Sequence, residues 1–268
     1  MSNAQDSLSV VIPAFNERQR LPPVLETLRT YLDGKAGRYE VIVVDDGSTD
    51  GTANFVQRAV ASWPELRLLR HAKNQGKGAA VRTGVLAANG AMVLFIDADG
   101  ATPIREVENL TQRIVEGADV AIGSRRSKSP CSVRTRSFVR AAIGGLFSRV
   151  AAFATGVSVR DTQCGFKLFR QEPARVLFSA TRETGYLFDV ELLALAARTG
   201  YTVVEQPVTW CEMPGSKIRL IRDGLAMTVG LVRVSVSVRL RAPAAAGATL
   251  RPANILDTQF PITSGSCP

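Results

Sequence analysis

The sequence predicts an α/β fold: one mainly parallel sheet with helices on both faces. Three observations predict it. Short apolar runs alternate with stretches of helical length over the first half of the chain. Those runs end in aspartate, glycine and serine, the residues of turns and helix starts. Apolar residues make up 46% of the 268 residues and charged residues 21%, the balance of a chain with a sizeable core rather than of a disordered one.

Leu8–Ile12 reads as a first buried strand, closed by Pro13. Pro22 and Pro23 suit the opening turn of a helix that runs on through Val24–Leu28. Glu40–Val44 is a second strand, ending in Asp45-Asp46-Gly47-Ser48, whose short polar side chains can cap a helix starting near Thr52. Leu66–Leu69 is a third strand; the loop Lys73–Gly78 and a helix over Ala79–Ala88 follow. Val93–Ile96 is a fourth strand and Val120–Gly123 a fifth. Strands separated by helices of roughly 10–15 residues pair in parallel. In such sheets ligands gather at the carboxyl ends of the strands. Pro13–Glu17, Asp45-Asp46, Gly76–Gly78, Asp97/Asp99 and Ser124-Arg125 all fall there, so a nucleotide site is expected at that end.

The most informative of these loops is Asp97-Ala98-Asp99, directly after four apolar residues. Residues two apart on an extended chain point the same way, so both carboxylates can face one ligand. Hard oxygen donors of this kind suit a divalent cation that keeps water and binds substrate phosphates. With a single histidine, His71, and four widely spaced cysteines, multi-histidine and Cys-x-x-Cys metal sites are excluded. Any catalytic metal must rest mainly on carboxylates.

The net charge of +9 is unevenly distributed. From Ser124 to Arg160 there is no acidic residue, while Arg125, Arg126, Lys128, Arg134, Arg136, Arg140, Arg149 and Arg160 supply eight positive charges. Phe138–Val157 is apolar but broken by Arg140 and Arg149, the pattern of an interfacial amphipathic helix; a core helix is the alternative. Ile218, Ile221, Leu225 and Val229 suit one helix face, whereas Val232, Val234, Val236 and Val238 alternate as in a strand, leaving that element open. No window reaches the ~18 consecutive apolar residues that a membrane span requires. The basic run lacks interleaved aromatics for stacking bases, so no nucleic-acid partner is expected. Residues 1–7 read as a disordered N-terminus or cloning remnant, and 242–268 as a flexible Ala/Pro/Gly-rich tail.

From Leu8 to Arg241 the chain resembles the family-2 glycosyltransferases of GT-A (Rossmann-like) fold, and more narrowly the dolichyl-phosphate β-glucosyltransferases and other polyprenyl-phosphate glycosyltransferases. The shared motifs are Val11–Glu17, Asp45–Ser48, Asn74–Gly78, Asp97–Thr102 and Ile122–Arg125. The discriminating ones are Arg160–Phe169, Phe188–Leu193 and Pro214–Lys217. The resemblance implies a nucleotide-sugar donor, Mg²⁺ or Mn²⁺, a polyprenyl-phosphate acceptor and inversion at the anomeric carbon. Pro13, Phe15, Glu17, Asp46, Lys77, Asp97 and Ala98 would border the nucleotide, and Asp97 and Asp99 would hold the metal. Arg125, Asp189 and Lys217 would lie near the reaction centre and the acceptor phosphate. Asp189 has a second reading, a carboxylate at a helix start; Lys77 has one as a solvated loop charge; Asp161 and Gln163 could brace a loop junction.

Ala101 stands where the mannosyl branch often has glutamine, so UDP-glucose is favoured over GDP-mannose. Cys211 stands where histidine is expected in the eukaryotic glucosyl enzymes. The resemblance and the charge pattern together imply a cytoplasmic protein, peripheral at the cytosolic face of an anionic membrane, with the segments 124–160 and 216–241 facing membrane and acceptor. A mannosyl or other glycosyl transferase is the enzymatic alternative; a noncatalytic nucleotide-sugar-binding membrane module is the alternative of another class.

Overall fold

A computed structural model of the protein describes residues 7–125, 159, 161–211, 230, 233–234 and 236–238. Among them are the strands β1 (Leu8–Ala14), β2 (Tyr39–Asp45), β3 (Leu66–Arg70), β4 (Met92–Ile96), β5 (Val120–Ser124), β6 (Phe166–Arg170) and β7 (Val203–Pro207). They form one sheet in the order β3-β2-β1-β4-β6-β5-β7. β6 runs antiparallel to β4 and to β5, and the other pairings are parallel.

Alternation along each strand feeds two cores. Val11, Ile42, Val44, Val93 and Phe95 face one layer. Val10, Ile12, Val41, Val43 and Leu94 face the other. A strand buried on both sides needs an unbroken apolar run, which is why these segments stand out in the sequence. On the second layer lie α1 (Leu21–Asp33), α2 (Thr52–Val60) and α4 (Val107–Val115). α1 buries Leu21, Leu25, Leu28 and Leu32, a stripe at helical spacing. On the first layer lie α3 (Lys77–Leu86), α5 (Gln171–Ala180) and α6 (Phe188–Thr199). The expected mainly parallel sheet with helices on both faces is therefore present, and its first five strands match the apolar runs to within two residues.

Two strands were not anticipated. β6 reads Phe-Lys-Leu-Phe-Arg, and its lysine interrupts the apolar signal. β7 is short, with Glu205 and Gln206 in its second half. The open element near the C-terminus is helical at Gly230, Arg233, Val234 and 236–238. Val234 and Val238, four apart, both enter the core. Phe138–Val157, Lys217 and the tail 242–268 lie outside the described residues, as does most of 124–160 and 216–241. Among the described residues no helix is long and apolar enough to cross a membrane.

Candidate active site

The carboxyl ends of β1, β2 and β4 bring their loops together. After β1 the chain turns through Asn16, whose φ of 54° is the left-handed conformation that asparagine tolerates better than most residues. Asn16 N–H donates to Ser48 Oγ at 2.9 Å, and Thr49 N–H donates to Asn16 Oδ1 at 2.9 Å. Glu17 N–H donates to Thr52 Oγ1 at 2.9 Å. The loops after β1 and β2 are thus stitched into one wall. Glu17, nearly buried, takes a fork from Arg20 Nε and Nη2 at 2.7 and 2.6 Å. Phe15 on the same loop is exposed, and Pro13 sits in β1 opposite Val44.

Asp46 is buried, and its carboxylate organises the loop after β3. It pairs with His71 Nδ1 at 2.7 Å and accepts from the N–H groups of Gln75 and Gly76 at 2.9 and 2.8 Å. Gly76 has a φ of 102°, reserved in practice for glycine. Gly78 packs where a Cβ would lie 2.6 Å from the Glu183 carbonyl oxygen. Its N–H donates to Thr184 O at 2.8 Å, so the start of α3 is covered by the segment leading into α6.

Asp97 and Asp99 follow β4 as expected, with Ala98 buried between them. Asp97 keeps about a third of its side chain exposed (34%) and binds Lys77 Nζ through Oδ1 at 2.7 Å. Its N–H donates to Gly165 O at 3.1 Å. Asp99 Oδ1 accepts from Ala101 N–H at 3.1 Å. Burial, and then the neighbouring Asp97 charge, hold the Asp99 carboxyl above the usual carboxylate range. Burial alone would lower the Lys77 ammonium, but Asp97 and Asp189 outweigh it and keep it charged. Two carboxylates crowded at a strand end are an electrostatic cost that a divalent cation relieves. Among the described residues no three His, Cys, Asp or Glu side chains group as a metal cage. A cation on Asp97 and Asp99 would therefore complete its shell with water and phosphate oxygens, which fits Mg²⁺-like ions.

Asp189 lies in the first turn of α6, buried, in an ion pair with Lys167. Burial pushes its carboxyl up, against the pull of Lys167 and Lys77. Arg125, at the end of β5, forks onto Asp161: Nε and Nη2 each reach a carboxylate oxygen at 2.7 Å, and its backbone N–H donates to Asp161 Oδ2 at 3.0 Å. Asp161 N–H in turn donates to Glu205 Oε1 at 3.0 Å, and the Arg125 guanidinium lies 5.7 Å from the Trp210 ring centre. Asp161 thus braces a junction between β5, β7 and the loop before β6.

The structure brings together Asp97, Asp99, Lys77 and Asp189; Phe15, Glu17 and Asp46 sit on the adjoining loops, and Pro13 lies near the end of β1. Arg125 is engaged with Asp161. Two residues given no role from sequence are part of the arrangement. His71 holds Asp46 through Nδ1 and is itself held by Thr83 Oγ1 at Nε2. Lys167 occupies a fully buried position in the central strand β6. The available signal for Lys167 was a charge between apolar residues, Phe166 before it and Leu168 and Phe169 after it.

A family model for glycosyl transferase family 2 matches residues 9–178. The dolichyl-phosphate beta-glucosyltransferase of Drosophila melanogaster is 41% identical over 227 residues, 79% of this chain and 69% of that protein. The Homo sapiens protein of the same name is 37% identical over 224 residues, again 79% and 69% of the two chains. Among solved structures, glucosyl-3-phosphoglycerate synthase from Mycobacterium tuberculosis, in complex with Mn²⁺, uridine diphosphate and phosphoglyceric acid, shares the fold. Its TM-score is 0.64 at 23% identity, covering 87% of this chain and 78% of that one. The matched domain and the extent of these likenesses make the chain a glycosyltransferase that belongs to glycosyl transferase family 2.

Proposed function

We propose that this enzyme moves glucose from UDP-glucose to a polyprenyl phosphate of the dolichyl type, inverting the anomeric carbon. The observation that carries the reading is the pair Asp97 and Asp99 at the end of β4, with Lys77 against Asp97 and the β1 and β2 loops alongside. Support for the sugar and the acceptor comes from the relatives' names, dolichyl-phosphate beta-glucosyltransferase, at 36–41% identity. Support for the donor comes from a structural neighbour, the glucosyl-3-phosphoglycerate synthase solved with Mn²⁺ and UDP-glucose.

In this reading the acceptor phosphate oxygen attacks C1 of glucose as the bond from C1 to the UDP oxygen breaks. A phosphate monoester has a second pKa of about 6 and is mostly dianionic near neutral pH, so it requires little help from a general base. Positioning by cationic side chains then matters more than proton removal. Mg²⁺ or Mn²⁺, held by Asp97 and Asp99, would supply charge neutralisation at the leaving diphosphate. Lys77 is already charged beside Asp97 and close enough to share that task. Phe15 would offer an exposed aromatic face to the donor, on the loop that Glu17 anchors through its fork with Arg20. The acid-free basic segment 124–160 would seat the enzyme on the anionic cytosolic face of a membrane and steer the acceptor.

A panel of nucleotide sugars with polyprenyl phosphate, run with and without a chelator, tests this. Glucose transfer from UDP-glucose that stops on chelation is expected. Preference for GDP-mannose would move the enzyme to the mannosyl branch, and no transfer from any donor would sink the reading.

A further inference from the structure

Lys167 stands on β6 between Phe95 of β4 and Ile122 of β5, fully buried in a sheet whose neighbours on that face are aromatic and aliphatic. Burying an ammonium there is costly, and the fold retains it with two acceptors: the Cys164 carbonyl oxygen and the Asp189 carboxylate. The Cys164 carbonyl is half of the peptide that carries Gly165 N. Gly165 is the rear support of Asp97. Its carbonyl accepts Asp97 N–H at 3.1 Å, and a Cβ on it would come within 2.0 Å of Asp97 Oδ2. The front support is Lys77, at 2.7 Å from Oδ1. Both ammonium groups lie beside Phe95, with Lys77 Nζ at 5.3 Å and Lys167 Nζ at 5.8 Å from its ring centre. Each lysine has its own carboxylate at bonding distance, Asp97 for Lys77 and Asp189 for Lys167, and Asp189 also acts on Lys77 through space.

We propose that Lys167 is a positioning residue for the Asp97 carboxylate: its ammonium fixes the Cys164–Gly165 peptide on which Asp97 rests, and Asp189 is its buried counter-ion. This rests on the reading of Asp97 as a metal-facing carboxylate. If the pair served stability alone, exchanging both partners for apolar residues of similar size would restore the protein in full, because buried ion pairs seldom outperform packed apolar groups. A positioning role predicts a different outcome. The apolar pair would restore the fold but not the hold on Gly165.

The experiment measures Mn²⁺ binding in the presence of UDP, from the loss of the free-ion electron paramagnetic resonance signal, beside thermal melting. It compares the wild type, Lys167→Met and the double variant Lys167→Met with Asp189→Leu. The single variant should melt lower and the double variant should recover. In both, Mn²⁺ affinity should fall by about 10–100-fold, the usual effect of losing a support behind a metal ligand. A folded double variant that binds Mn²⁺ within about twofold of wild type would overturn the inference. Wild-type protein that retains no Mn²⁺ with UDP would overturn the metal reading itself, and that result appears before any variant is made.

Discussion

Gly165 and Asp97 meet face to face: the glycine's α-carbon lies against the aspartate carboxylate, where a Cβ would fall 2.0 Å from Oδ2 and 2.3 Å from Cγ. The atoms in the way belong to the end of a side chain, so an added methyl displaces the carboxylate rather than the backbone. Gly165→Ala is expected to leave the melting temperature nearly unchanged and to cut glycosyl transfer by about 100-fold, equivalent to about 2.7 kcal/mol of transition-state stabilisation. Steady-state assays paired with thermal melts check this. A variant that melts many degrees lower would instead assign the glycine to folding.

Asp99 is a cleaner test of the carboxylate pair. Its Oδ1 already accepts the Ala101 N–H, a bond that an asparagine oxygen can make equally well. Asp99→Asn should therefore keep the turn and the fold while lowering transfer at least about 100-fold. Full activity in a well-folded variant would remove Asp99 from the metal site.

The Arg125–Asp161 pair predicts an acid limb of stability. Burial would raise the Asp161 carboxyl, but the Arg125 fork wins and holds it below its ordinary value. A depressed folded-state pKa contributes stability that is fully present above the unfolded value of about 3.9 and is lost as pH falls through the folded value. Asp161→Asn should destabilise the protein by roughly 1–3 kcal/mol at neutral pH, because the part-buried Arg125 loses its charged, forked partner. The variant should also show a shallower loss of stability below about pH 4. Chemical denaturation across pH measures both.

Two thiols should differ sharply in reactivity. Cys164 is buried, and burial followed by the Asp161 charge pushes it up to about 12, so little thiolate forms near neutral pH. Cys211 is exposed. Brief alkylation of the native protein at neutral pH, read by peptide mass spectrometry, should modify Cys211 and spare Cys164 until denaturant is added. Early labelling of Cys164 would show that the loop before β6 opens readily.

The first half of the fold was readable because each central strand is buried on both faces and has to be apolar throughout, as in Val41–Val44. β6 escaped notice for the opposite reason. It inserts antiparallel between β4 and β5, a pairing set by partners more than 40 residues away, and it carries a lysine where an apolar residue would announce a strand. The carboxylate pair was visible as spacing at a strand end. Its surroundings were legible only in part: Lys77 stood among the residues expected at the nucleotide, whereas Gly165 and Lys167, two apart on a segment nearly 70 residues further on, carried no such signal.

Local chemistry alone dictated the parallel α/β class, the loops at the strand ends and the Asp97/Asp99 pair, because side-chain period and turn preference act between near neighbours. Which charges meet was settled by folding. Arg125 found Asp161, Asp46 found His71, and Lys167 found Asp189, each across 22 residues or more. Such partners are chosen by burial, where an ion left alone is too costly to keep, and burial is a property of the assembled layers rather than of any one stretch of chain.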